Sequence, residues 1–196
     1  MDFEILNAET LYEGFLTLGR RRIRHQSFHG GWCAEIERER LEHLSAASVL
    51  LYDPDRDQVV LGEQFRIGAL EDPAGPWVLE TVGGYRPSHE SAAEVARREA
   101  REEAGCEPDE LIHIGDFYVS PGLSSEKISL FCGRVDAGKA TGVHGLADEG
   151  EEVRVVVLSF IEAQAELFKR INSTSAIIAM QWLVQQREAL RTRWRR

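Results

Sequence analysis

The chain has 196 residues, 43% of them hydrophobic, and a formal net charge of −10. That length suits one domain with a sizeable core, and the composition is ordinary for a chain that folds in water. The acidic balance argues against nonspecific nucleic-acid binding, which depends on basic residues neutralising phosphates. An anionic ligand would have to be met by local arginines and metal rather than by the overall field.

Cys33, Cys106 and Cys132 are odd in number and widely spaced. Neither a disulfide framework nor a zinc site is expected from them, and buried thiols in a reducing compartment are the simplest reading. The start, Met1-Asp2-Phe3-Glu4-Ile5, is acidic and lacks the basic segment of a signal peptide. No apolar run approaches a membrane span. A cytoplasmic protein without membrane or nucleic-acid partners is expected.

The first 40 or so residues read as β-rich. Tyr12 to Leu18 is apolar and aromatic, Arg20 to Phe28 alternates, and Gly30-Gly31 is a turn signal. Trp32 to Leu41 alternates again, which would put Arg38 and Glu39 on opposite sides of a strand. Ala46 to Tyr52 is a short apolar run, ended by turn chemistry at Asp53-Pro54-Asp55-Arg56-Asp57. Gln58 to Arg66 is the return strand. Trp77 to Val82 is another strand, delivering the chain to Gly83-Gly84. A helix is predicted from about Ser88 to Ala104, capped by Ser88 or Ser91 and closed by Gly105.

Strands follow near Leu111 to Val119, Lys127 to Val135 and Val153 to Leu158. Residues 136–152 form a long loop rich in Gly, Asp and Glu, a length that is usually functional or disordered. The last elements read as helices over Phe160 to Arg170 and Ser173 to about Arg193. Ile177, Ile178, Trp182, Leu183, Leu190 and Trp194 mark the apolar side of the second. Arg191, Arg193, Arg195 and Arg196 suit the negative end of its dipole. This order predicts an α/β fold, a mixed sheet flanked by helices.

Glu99, Glu102 and Glu103 are spaced i, i+3, i+4 and so share one face of the predicted helix. Like charges at that spacing repel by a few tenths of a kcal/mol per pair, about 0.2–0.5. Such a cluster is either a solvated surface or a seat for a hard divalent cation such as Mg2+. Its frame is specific: Gly84, five residues, Glu90, seven residues, Arg98-Glu99, Ala100, one residue, Glu102-Glu103, one residue, Gly105-Cys106. Every constrained position of the Nudix hydrolase box is filled, and the chain resembles a Nudix hydrolase.

Two further marks resemble the ADP-ribose pyrophosphatase branch of that family. Gly142-Val-His-Gly-Leu-Ala-Asp-Glu149-Gly-Glu151 looks like its mobile catalytic loop. Pro121, in Ser120-Pro121-Gly122, lies 16 residues after the last glycine of the box. Read alone, the first is a solvated acidic loop and the second a turn.

The resemblance covers nearly the whole chain and implies a Nudix α/β/α sandwich with an additional N-terminal β-rich region. Residues 1–43 would serve dimerisation and substrate binding, and 44–196 would be the hydrolase domain. The implied metal ligands are Glu99, Glu103, Glu151 and the Gly83 carbonyl, with Glu102 a ligand or its neighbour. Glu149 would deprotonate the attacking water. Arg98 would orient the glutamates, Glu90 would tie down the loop and helix start, and Gly84 and Gly105 would be conformational.

Substrate contacts are implied for Phe15, stacking on adenine, and for Leu16, Arg38, Glu39, Arg66, Tyr85, Ser120 and Glu126. Phe15 reads equally well as a core residue. His43 stands where relatives often carry an arginine. The implied cofactor is Mg2+, and Mn2+ would fit the same oxygen ligands. The implied assembly is a homodimer acting on an ADP-ribose-like small molecule. Two rivals stay open: hydrolysis of another nucleotide sugar such as GDP-mannose, and a sensor that binds ADP-ribose without cleaving it.

Overall fold

A computed structural model describes residues 1–42 and 45–194. The sequence readings at His43, Arg195 and Arg196 lie outside the described residues. The chain divides into two compact units, Met1–Ser45 with Tyr118–Lys127, and Ala46–Phe117 with Ile128–Arg196.

The first unit is a three-stranded antiparallel sheet in the order β1 (Phe3–Glu13), β2 (Thr17–His25), β3 (Ile36–Glu42). The alternating charge of its sequence is spent across the strands rather than on a buried face. Arg20 bonds Glu9 on one side at 3.1 Å and Glu39 on the other at 3.0 Å. Arg24 reaches Glu4 at 2.7 Å. Opposed charges directly across a sheet contribute about 0.2–1 kcal/mol each. The segment after Tyr118 docks by main-chain bonds: Leu41 N–H to the Leu123 carbonyl and Ser125 N–H to the Leu41 carbonyl, both 2.9 Å. Phe3, Ile5, Tyr12, Phe15 and Phe28 are all more than half exposed.

The second unit is built on an eight-stranded sheet. Its strands are β4 (Ser45–Asp53), β5 (Gln58–Phe65), β6 (Trp77–Glu80), β7 (Val82–Tyr85), β8 (Glu110–Tyr118), β9 (Lys127–Arg134), β10 (Val143–His144) and β11 (Val153–Ser159). The main order is β10-β11-β5-β4-β9-β8, with β6 added to β5 and β7 to β4. The helices are α1 (Ala92–Ala104), α2 (Phe160–Glu166) and α3 (Thr174–Trp194).

The period-2 alternation of the central strands divides the core in two. From β4, Leu50 and Tyr52 join Val59 and Leu61 of β5, Leu130 and Cys132 of β9, and Met180, Leu183, Leu190 and Trp194 of α3. The alternate residues Ala47, Val49 and Leu51, with Val60 and Phe131, pack against Val95, Ala96, Ala100 and Ala104 of α1. The sheet is thus covered on both faces, as the expected α/β/α sandwich requires.

Some boundaries differ from the sequence reading. The run Trp77–Val82 breaks at Thr81 into β6 and β7. The helix starts at Ala92, because Ser91 is extended (φ −73°, ψ 154°) and caps it. Ser91 Oγ accepts from Glu94 N at 3.3 Å, and Glu94 accepts from Ser91 N at 2.8 Å, a reciprocal capping box. α2 ends at Glu166 rather than Arg170. The acidic loop holds short β10 and two 3-10 turns, Ala137–Lys139 and Ala147–Glu149. Cys106 and Cys132 are buried free thiols and Cys33 is half-buried. Among the described residues, no helix is long and apolar enough to cross a membrane.

Candidate active site

The site gathers where β7 hands the chain to α1. β7 pairs with β4 so that Gly83 faces Ser48 and Gly84 faces Ala47. The buried Ser48 hydroxyl donates to the Val82 carbonyl at 2.9 Å and lies 2.8 Å from Thr81 Oγ1. This fixes the strand immediately before the glycines. A Cβ built on Gly84 would overlap the Glu99 carboxylate. Glycine at that position is what lets a helix carboxylate lie against strand backbone.

The box glutamates take different partners. Arg98 Nη1 donates to Glu99 at 2.8 Å and to Glu102 at 2.9 Å, and Arg98 Nε reaches Glu90 at 3.3 Å. Its remaining nitrogen faces the Tyr85 carbonyl at 3.5 Å. One guanidinium therefore organises three carboxylates and the glycine loop, as its forked donors allow. Glu103 is 1% exposed and accepts from Gly83 N–H at 2.9 Å. Gln64 of β5, itself buried, places Nε2 3.5 Å from the other Glu103 oxygen.

Burial raises the Glu103 carboxyl well above the usual carboxylate range; the Gly83 N–H opposes the shift, while nearby Glu151 and Glu99 add to it. Glu99 is raised too, first by burial, with Arg98 acting against it and Glu102 and Glu151 with it. Carboxylates that raise one another in a buried place form an oxygen-only donor set, which a hard divalent cation would satisfy. Among the described residues, no group of three or more His, Cys, Asp or Glu side chains is arranged to hold a metal ion. The fit rests on donor chemistry and on the Gly84 cradle.

The acidic loop approaches the same helix. Gly145 N–H donates to the Glu102 carbonyl at 3.0 Å, and Glu151 N–H to the Leu146 carbonyl at 3.2 Å. Glu149 ends the 3-10 turn; its side chain lies outside what is described. α1 closes at Gly105, whose φ of +60° is the left-handed conformation that glycine accepts without strain.

Of the residues singled out from sequence, Gly83, Gly84, Glu90, Arg98, Glu99, Glu102, Glu103, Gly105 and Glu151 share this region of the second unit. Tyr85 is there as well, 62% exposed. Arg66, at the end of β5, is paired with Glu80. Phe15, Leu16, Arg38, Glu39, Ser120 and Glu126 belong to the first unit. Phe15 is fully exposed at the β1–β2 turn, so the core reading of it fails. Arg38 Nη1 donates to the Glu37 carbonyl at 2.7 Å, and Glu39 accepts from Arg20. The Ser120 carbonyl accepts from Leu123 and Ser124 N–H, and the Glu126 carbonyl from Val119 N–H.

Sequence reasoning missed Gln64 and His144. Gln64 is a polar residue inside an apolar strand, a signal that a buried amide needs a partner. His144 sits inside a polar loop, where nothing in the pattern sets it apart.

The NUDIX domain family matches residues 42–178. The chain is 44% identical to an ADP-ribose pyrophosphatase of Escherichia coli (strain K12), over 98% of this chain and 93% of the relative. It is 41% identical to an ADP-ribose pyrophosphatase of Haemophilus influenzae, over 100% and 92%. A GDP-mannose pyrophosphatase of Klebsiella pneumoniae is 31% identical over 93% and 92%. Among solved structures, one titled as an ADP compounds hydrolase superposes with a TM-score of 0.73 at 21% identity, over 100% of this chain and 98% of that one, a likeness of fold.

Proposed function

From its membership of the NUDIX family, to which this chain belongs, we infer that it hydrolyses the pyrophosphate bond of ADP-ribose. Water adds to one phosphorus, and the bridging oxygen leaves with the other, giving AMP and ribose 5-phosphate. The gap in identity carries the choice of substrate: 44% and 41% to relatives named for ADP-ribose, against 31% to one named for GDP-mannose.

The proposed metal ligands are Glu99, Glu103, Glu151 and the Gly83 carbonyl. A divalent cation there, with Mg2+ the proposed ion, supplies charge neutralisation at phosphate oxygens and a more acidic water. Glu149 is the proposed base, and Glu102 assists at the metal or beside it. Arg98 keeps Glu99 and Glu102 aligned, and Glu90 anchors Arg98 in turn. Phe15, Leu16, Arg38, Glu39, Arg66, Tyr85, Ser120 and Glu126 are the proposed substrate contacts.

The proposed assembly is a cytoplasmic homodimer, with residues 1–43 as its dimerisation and substrate-binding region and 44–196 as the hydrolase domain. The exposed Phe3, Ile5, Tyr12 and Phe28 support this, since large exposed apolar groups mark interaction surfaces. A panel of nucleoside diphosphate sugars tests the substrate. ADP-ribose should give the highest kcat/KM with Mg2+. A tenfold preference for GDP-mannose, or binding of ADP-ribose with no AMP released, would overturn the reading.

A further inference from the structure

The acidic loop is fastened to the C-terminal end of α1 beside Gly105. The last carbonyls of a helix lack partners within it. In α1 the Arg101 and Ala100 carbonyls are taken by the N–H groups of Gly105 and Cys106, at 3.1 and 3.0 Å. The Glu102 carbonyl is taken by the loop, through Gly145 N–H at 3.0 Å. Beside this bond the His144 ring lies on Gly105: a Cβ there would fall 2.7 Å from His144 Cε1 and 3.3 Å from Nε2. The ring is oriented by the Thr141 carbonyl, 2.8 Å from His144 Nε2.

We propose that His144 is a positioning residue for hydrolysis: its ring on Gly105 and the adjacent Gly145–Glu102 bond staple the acidic loop to the helix that carries Glu99, Glu102 and Glu103. The staple sits immediately before residues 146–152. The other end of that arc enters β11, which is paired along its length with β5 from Val153↔Gln64 onward. Glu149 and Glu151 therefore ride on a short arc pinned at both ends. β10 reinforces the pin through Val143↔Arg154 and His144↔Val153, and Val155 N–H bonds the Gly142 carbonyl at 3.0 Å.

Without the staple, residues 145–152 would stay tethered to the sheet through β10 and β11 but not to α1, and placing their carboxylates beside the helix would cost the conformational entropy of ordering that arc. Gly105 thus has two tasks, a left-handed helix end and a bare surface for the ring. The proposal rests on the functional reading of Glu149 and Glu151 above.

Amide hydrogen exchange on the metal-free protein, paired with steady-state kinetics, tests it. In the unaltered protein the Gly145 amide should exchange at least tenfold more slowly than that of Asp148. Equal rates would overturn the staple without recourse to any variant. His144→Ala should speed Gly145 exchange at least tenfold and lower kcat at least tenfold, with KM within twofold. His144→Phe, which returns a flat ring to Gly105, should recover most of both. Unchanged exchange in His144→Ala, or faster exchange with kcat intact, would overturn the proposal. No nucleotide-sugar hydrolysis by the unaltered protein would instead overturn the functional reading, and the exchange of Gly145 would still report the staple.

Discussion

Glu103 is a carboxylate whose surroundings disfavour its charge. It is buried beside Glu99 and Glu151, with the Gly83 N–H donating at 2.9 Å and the Gln64 amide at 3.5 Å. A cation bound only by the folded state would stabilise the protein, by about 2.7 kcal/mol at a hundred times the dissociation constant. For a chain of this size that is roughly 2–4 °C per kcal/mol. Saturating Mg2+ should therefore raise Tm by about 5–10 °C. Glu103→Gln keeps the shape and an acceptor for Gly83 N–H but removes the charge. It should lose most of that rise and at least a hundredfold in kcat; an undiminished Mg2+ shift in a melting curve would exclude Glu103 as a ligand.

Gly84 makes the complementary case, since a methyl group there has no room beside the Glu99 carboxylate. Gly84→Ala should displace Glu99 and move the Mg2+ concentration for half-maximal rate upward at least tenfold. A Mg2+ titration of the purified variant reads this directly.

At the scale of elements, much of α1 was legible because its signals are local. The i, i+3, i+4 glutamates, a capping serine at Ser88 or Ser91, and the closing Gly105 are each written within one or two turns; the Ser91–Glu94 pair, which picks Ser91, came only with the structure. Ser91→Ala should cost about 1 kcal/mol, seen as a fall in the urea midpoint with kcat within twofold. A loss below measurement would mean that Glu94 alone holds the helix start. The break at Thr81 was not legible, because it comes from two different partner strands, β5 for β6 and β4 for β7. β10 was hidden for a related reason: two residues in a polar loop become a strand only by pairing with β11. Gln64 and His144 escaped because their roles depend on contacts distant in sequence, Gln64 with Glu103 and His144 with Gly105 at the end of α1.

At the scale of the molecule, a charged latch ties the end of the chain to the β4–β5 turn. Asp57 accepts from Tyr52 Oη at 2.8 Å and from Arg187 Nε at 2.8 Å, and pairs with Arg191 at 3.2 Å. Arg187 also lies 4.5 Å from the centre of the Phe160 ring. The Arg187 hydrogen bond holds the Asp57 carboxyl below its ordinary pKa; burial opposes it, and Tyr52 and Arg191 add to it. A carboxyl lowered in the folded state stabilises it above the unfolded pKa, about 3.9. That contribution is lost as pH falls through the folded value. The part of the urea midpoint that Asp57 supplies should thus hold near neutrality and decline below about pH 4. Asp57→Asn tolerates the positive φ of 57° at this residue but removes the charge. It should be less stable at pH 7 by about 1–3 kcal/mol, with a flatter decline in acid. An equally steep decline would place the acid sensitivity elsewhere.

The alternation along β4 also bears on how this protein can change. Val49 and Leu51 serve one half of the interior and Leu50 and Tyr52 the other. Replacing any one of them disturbs one compartment. Inserting or deleting a single amino acid between Ala46 and Tyr52 would instead exchange every side chain between compartments. Drift here should proceed by substitution while length variation collects in the stretch before β11, and libraries built for engineering should keep reading-frame-sized indels out of this strand.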